Sequence, residues 1–306
     1  MTTSSQNIPS ASSFARPFVA GVVAAVSLAG GAVALGQATA DSAREAAAMA
    51  GMEVPEWKLS DLALPDDIFT FARVRYLNGG KWTTDFPGSD LHLSFRLHQL
   101  TSLDVNPDPA LVELTDASLS DYPMLYMANP HHGGNNWWSM SDAFDLSEDE
   151  GQKLRNYLLN GGFLWIDDFW GRDMWEHFQE VIKKRVFPKR EPVLLDFSHP
   201  IFHNIFELDK IPQVPSHNAW DNTEYAGTAE KTYEWDMDPD DPEYLEVPRF
   251  MAYFDDDGRM CMLVDVNNDI GDGWEEEGYK TWYFNAFSEK YCFPMAINVL
   301  FYVMTN

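Results

Sequence analysis

Two adjacent aspartates, Asp167 and Asp168, follow the apolar run Phe163-Leu164-Trp165-Ile166 and a pair of glycines. A short apolar run with that punctuation reads as a buried strand, and open α/β sheets bind ligands beyond the carboxyl ends of their strands. Neighbouring carboxylates there raise one another's pKa, which suits proton transfer, and their oxygens suit a cation. Asp168 is therefore a candidate base. A second polar loop carries His131 and His132 among glycines and asparagines, followed by Asn135, Trp137 and Trp138. A loop can converge adjacent imidazoles, and an aspartate from elsewhere would complete a metal-ligand set, so both histidines are candidate partners of Asp168. Asp167, Asp168, Trp170, Asn135, Trp137 and Trp138 together make a candidate ligand site. Indoles beside amides and carboxylates suit the face of a sugar or polyol, and equally suit a protein interface. Asp269, Asp272 and Glu275 offer a third set, of oxygen donors for a hard cation. Asp265, Asn267, Asp269 and Glu276 imitate an EF-hand loop, but Ile270 stands where that loop needs glycine. Each feature also has a plainer reading: a turn aspartate, a solvated loop, or a tight turn on Gly271 and Gly273.

The elements that would position these residues are legible in the spacing. Phe69 to Tyr76 alternates as a first strand, Leu111–Leu114 is a second and Met124–Met127 a third. Asp90 is placed to cap a helix with Leu93, Leu97 and Leu100 on its apolar face. Ser147 and Glu150 form a capping box, Leu154, Tyr157 and Leu158 face inward, and Asn160-Gly161 ends the helix. Strand, helix and strand in this order predict parallel βαβ units. Trp175, Phe178 and Ile182 mark another helix. Runs 250–254 and 259–266 flank Asp255-Asp256-Asp257-Gly258 as a hairpin, and Pro294 opens a last helix with Ile297, Leu300 and Phe301 inward. The polar loop after 266 joins the others only if its strand runs parallel to theirs.

The 306 residues are 45% hydrophobic with a net charge of −27. That composition supports a real core, and so acidic a surface repels nucleic acid and anionic lipid. Residues 17–36 are uncharged and rich in Ala, Gly and Val, Arg16 precedes them, and Ala38-Thr39-Ala40 resembles a cleavage site. Residues 1–40 are thus a signal peptide or a membrane anchor, 41–68 a linker, and 69–306 an α/β domain with an irregular insertion at about 190–245. Either form of the leader places the domain outside the cytoplasm, on the periplasmic side. The two cysteines, Cys261 and Cys292, show no metal-type spacing and leave a disulfide or two buried thiols open.

Several ordered motifs carry a resemblance. They are 71–76 with Trp82-Thr83-Thr84-Asp85, Gly161-Gly162-Phe163-Leu164 with 167–171, His199-Pro200-Ile201-Phe202-His203, and 268–275. Over roughly residues 69–305 the chain resembles the domain-of-unknown-function family numbered 4159, found in uncharacterised bacterial proteins. The resemblance implies a class I glutamine amidotransferase-like fold, a flavodoxin-like α/β sandwich with a mostly parallel sheet. Amidotransferase chemistry does not follow, because no cysteine stands at a strand-to-helix elbow. The expected function is binding of a polar small molecule, such as a carbohydrate, with a divalent cation as the candidate cofactor. An accessory subunit docking on a membrane protein complex is one alternative, and a weak metal-assisted hydrolase is the other. Non-enzymatic roles are favoured.

Overall fold

The computed structural model describes residues 38–61, 63–76, 81–130, 143–218, 248–275 and 280–306. The segments 1–37, 131–142 and 219–247 lie outside them, and with them nearly all of the leader, the second half of the expected insertion, His131, His132, Asn135, Trp137 and Trp138. Among the described residues no helix is long and apolar enough to cross a membrane.

The core is one seven-stranded sheet. Its strands are β2 (Ala72–Val74), β4 (Ala110–Val112), β5 (Met124–Ala128), β6 (Phe163–Phe169), β7 (Val193–Leu194), β8 (Arg249–Phe254) and β9 (Met260–Val266), in spatial order β4-β2-β5-β6-β9-β8-β7. The first five in that order are mutually parallel, and β8 runs antiparallel to both β9 and β7. A separate two-stranded parallel ladder joins β1 (Ile68–Phe69) to β3 (Asp104–Val105). The expected first strand is therefore split, with β1 leaving the main sheet before β2 joins it.

Numbered by chain position, the five parallel strands follow the order 2-1-3-4-5, which is compatible with a flavodoxin-like arrangement. Helices flank both faces: α1 (Ala43–Ala50), α2 (Gly88–Leu100), α3 (Glu148–Leu159), α4 (Arg172–Arg185), the single turn α5 (Asp272–Glu275) and α6 (Phe293–Thr305). Alternation along the strands sorts the core into two halves. Tyr126 and Trp165 pack with Leu93 and Leu97 of α2 and Ile297 and Leu300 of α6, while Leu125, Leu164 and Ile166 pack with Leu154 of α3 and Phe178 of α4. The connection from β2 thus runs over one face and the connection from β5 over the other. Their carboxyl ends form the topological switch point, where such sheets bind ligands.

The capping box of α3 is formed as expected, with Ser147 Oγ accepting from Glu150 N and the Glu150 carboxylate accepting from Ser147 N. Asp90 is not the cap of α2. Pro87 holds that position, and Asp90 pairs with Arg73 instead. Leu100 faces solvent, one turn beyond the buried stripe. Strand β9 runs parallel to β6, so its following loop does share the edge with the others. Cys261 and Cys292 are both free and buried, in the cores on opposite faces of the sheet.

Candidate metal centre

Asp85, Asn129, Asp168 and Asn267 are the residues other than glycine that adopt positive φ among those described, at 60°, 52°, 56° and 62°. This left-handed region is sterically costly, Asp and Asn tolerate it best, and such residues cluster where function requires them. Asn129, Asp168 and Asn267 lie at the carboxyl ends of β5, β6 and β9, and Asp85 lies in the turn between β2 and α2. Among the described non-glycine residues, the backbone is held out of its ordinary range at these four positions.

Arg73 builds the first wall. Its guanidinium is fully buried on β2 and uses its whole donor fork. Nε and Nη2 grip the Asp90 carboxylate at 2.6–3.0 Å. Nη2 also reaches Ser89 Oγ at 2.7 Å, and Nη1 donates to the carbonyls of Trp82 and Thr84 at 3.0 and 2.9 Å. Tying 82–84 to the sheet in this way sets down Asp85 beside the strand ends. Asp85 is buried, and its Oδ2 has no hydrogen-bond partner.

Asp167 builds the second wall and spends its oxygens doing so. It accepts from Tyr126 Oη at 2.9 Å, from Ile270 N at 3.0 Å and from Gly271 N at 2.6 Å. Burial nevertheless pushes its carboxyl up to about 6, against the lowering effect of these bonds. The strand pairing of β6 shifts register between Ile166 and Phe169, a bulge that re-aims the intervening side chains. Asp168 there accepts a short hydrogen bond from Asn129 Nδ2, and Asn129 Oδ1 is itself buried without a partner.

The turn after β9 and the segment 212–217 are stitched together. Val214 N donates to Asn268 Oδ1 at 2.7 Å, Asn268 Nδ2 to the Pro212 carbonyl at 2.9 Å, and Asp269 N to the Val214 carbonyl at 3.0 Å. Gln213 Nε2 adds a bond to the Asn267 carbonyl at 3.2 Å. This scaffold delivers His217, whose backbone N–H donates to Asp272 and whose Nδ1 stands 3.1 and 3.0 Å from the two Asp272 oxygens.

Two sets of potential donors result. Asp85, Asp269 and Asp272 form one, and His217, Asp272 and Glu275 the other, with the donor atoms of each set lying within 4.8 Å of one another. A cation bonded at about 2.0–2.6 Å spans donors up to about 4–5 Å apart. Asp85 and Asp269 are held well above the usual carboxylate range, first by burial and next by the charge of Asp272. Asp265, whose Oδ2 accepts from Trp165 Nε1 at 2.6 Å, is raised by burial and by Asp167. Buried like charges without a neutralising partner are costly, and a bound cation removes that cost.

A family model described as a domain of unknown function (DUF4159) matches residues 70–304. The chain belongs to that family. The DUF4159 match spans every residue of both donor sets. No curated protein matches the chain.

Of the residues singled out in the sequence, the structure brings Asp269 and Asp272 together with Asp85, and Asp272 and Glu275 together with His217. Asp167 is committed to the 270–271 turn. Trp170 is 1% exposed and packs in the α3/α4 core, so it presents no face to a sugar. The other proposed indoles, Trp137 and Trp138, with Asn135, His131 and His132, lie outside the described residues. His199 and His203 are structural: His199 Nδ1 accepts from Ile201 N at 3.2 Å, and His203 Nε2 meets the Phe197 carbonyl at 2.6 Å. Cys261 lies inside β9, where burial pushes its thiol up to about 11, and Cys292 lies in the helical run before α6. A cleft of about 730 Å³ opens at the opposite sheet edge, beside Tyr122, Asn156 and Gly162, and contains none of the donors.

Sequence reasoning missed Asp85 and His217. Asp85 had a signal, since it closes the Trp82-Thr83-Thr84-Asp85 motif. His217 had none, because its place depends on pairing with a loop more than fifty residues away.

Proposed function

We propose that the chain is an extracytoplasmic domain that holds a divalent cation at Asp85, Asp269 and Asp272 and uses it to bind a polar, oxygen-rich small molecule. One observation carries this reading: the Asp85 carboxylate, whose Oδ2 is buried and unpartnered, has a donor oxygen within 4.8 Å of those of Asp269 and Asp272. Three carboxylates favour a hard cation such as Ca²⁺, Mg²⁺ or Mn²⁺. The placement outside the cytoplasm rests on the apolar run 17–36 and the Ala38-Thr39-Ala40 signal. The finer assignment to the glutamine amidotransferase-like fold draws support from the strand order, without the thiol chemistry. Hydrolysis of the bound ligand would be the enzymatic form of the same site. Asp168 is then the base, since its charge acts on both Asp85 and Asp269 without belonging to either donor set.

A second reading is an accessory subunit docking on a membrane complex. Edge strand β7 favours it, because Val193 and Leu194 both lie about half exposed on the last strand of the sheet among the described residues.

Calorimetric titration of chelator-treated full-length protein with Ca²⁺, Mg²⁺ and Mn²⁺ tests the leading reading. Saturable binding that Asp85→Asn weakens supports it. Heats indistinguishable from dilution at millimolar cation would overturn it.

A further inference from the structure

We infer that the centre is dinuclear, with Asp272 bridging an all-oxygen cation position to a second, nitrogen-containing one formed by His217 and Glu275. This rests on the cation-binding reading above and goes beyond it in stoichiometry and metal class. The two donor sets share only Asp272. A carboxylate with two oxygens can serve two cations, and two-metal centres place their ions about 3.5–4 Å apart.

Donor number accommodates two ions. Asp85, Asp269, Asp272 and Glu275 bring four carboxylates to the two sets, and His217 adds an imidazole to the second. Asp85 Oδ2 is the independent sign that a ligand belongs here. The Asp85 side chain is over nine-tenths buried, and this atom has no protein partner.

The second position is built as firmly as the first. Segment 212–217 is sewn to 267–269 by four hydrogen bonds, and Tyr283 Oη holds the Pro215 carbonyl at 2.7 Å. On the other side His92 Nδ1 of α2 contacts the carbonyls of Trp274 and Glu275 at 3.1 and 3.2 Å, fixing the end of α5. His217 and Glu275 are thus brought to Asp272 by different elements. The donor types differ between positions. Three carboxylates suit Ca²⁺ or Mg²⁺, while imidazole with carboxylates suits Mn²⁺ or Zn²⁺. The two positions are accordingly unequal in metal preference.

The test is equilibrium dialysis of the chelator-stripped full chain against Mn²⁺, with metal per chain measured by mass spectrometry and the bound ions examined by electron paramagnetic resonance. Wild type is expected to hold two Mn²⁺ with an exchange-coupled spectrum. His217→Ala is expected to hold one, with a mononuclear spectrum and near-normal Ca²⁺ affinity. Asp85→Asn also retains one, at the His217 position. Asp272→Asn weakens both by at least about tenfold. One uncoupled Mn²⁺ in wild type overturns the dinuclear centre and leaves the single-cation reading standing. No bound Mn²⁺ or Ca²⁺ overturns both. The wild-type spectrum decides the matter even if a variant does not fold.

Discussion

Asp85 is the residue on which the site turns, because burial and neighbouring carboxylates penalise its charge more than Arg73 favours it. Its nearest charged neighbours by effect are Asp272, Glu275 and Asp168, with Arg73 alone acting the other way. Asp85→Asn keeps the shape and removes the repulsion. The cation-free variant should be as stable as wild type or more so, while Ca²⁺ affinity falls at least about tenfold, since a ligating charge is gone. Paired thermal melts and calorimetry check this; a loss of stability without a loss of affinity would show that Asp85 is only structural. Gly271 guards the same atom. A Cβ there would lie 2.5 Å from both Asp85 Oδ2 and Tyr126 Oη. Tyr126 has little room to yield, with its ring packed against Phe71, Trp165 and Trp274. Gly271→Ala should therefore destabilise the protein by about 1–3 kcal/mol, as overpacking does, and should lower cation affinity as well. Denaturant unfolding with and without Ca²⁺ reads both effects.

At the scale of elements, the Arg73 fork joins β2, the 82–84 turn and the start of α2. Arg73→Lys keeps the charge but cannot make the two-sided grip on Asp90 while also reaching two carbonyls. Breaking such a buried pair costs about 3–5 kcal/mol, so urea unfolding should show a large loss even though the formal charge is unchanged. An Arg73→Lys protein of wild-type stability would mean that the 82–84 turn is held by other contacts. The legibility of these elements in the sequence follows the range of the forces that make them. Helix α3 was readable because its capping box, apolar face and Gly161 stop all lie within fifteen residues. Strand β6 was readable up to Ile166, but its continuation through Asp167 and Asp168 was not. The partners that hold Asp167 there, Tyr126 and the 270–271 amides, are 41 to 104 residues away. Asp90 misled for the same reason. Its local spacing fits a cap, and a buried arginine seventeen residues earlier outbids the helix amides for its carboxylate. The acidic candidates at 269, 272 and 275 were visible as oxygen donors, whereas the donors that complete their sets, Asp85 and His217, arrive through long-range stitching.

The whole molecule stores its acidity unevenly, and this gives it a pH dependence that a cation should reverse. Burial raises Asp167 to about 6 and holds Asp85, Asp265 and Asp269 well above their usual range. A carboxyl with a raised folded pKa binds its proton more tightly when folded. Its contribution is fully present below the unfolded value near 3.8 and is lost as pH rises through the folded value. For Asp167 that window runs from about 4 to about 6, and the shift is worth on the order of 3 kcal/mol at most. The other three extend the loss to higher pH. Asp145 works in the opposite sense, its carboxyl lowered by Arg185, but that pair is solvent-screened and adds little. The net charge of −27 adds general repulsion in the same direction as the buried acids. Chelator-treated protein should consequently unfold at lower urea concentration at pH 8 than at pH 5. Divalent cation at about a hundred times its dissociation constant should return about 2.7 kcal/mol at pH 8, because it binds only the folded chain. At pH 5 the same addition should do much less, since protons already occupy part of the cluster. Equal stability of the cation-free protein at the two pH values would contradict the premise that burial raises these carboxyls.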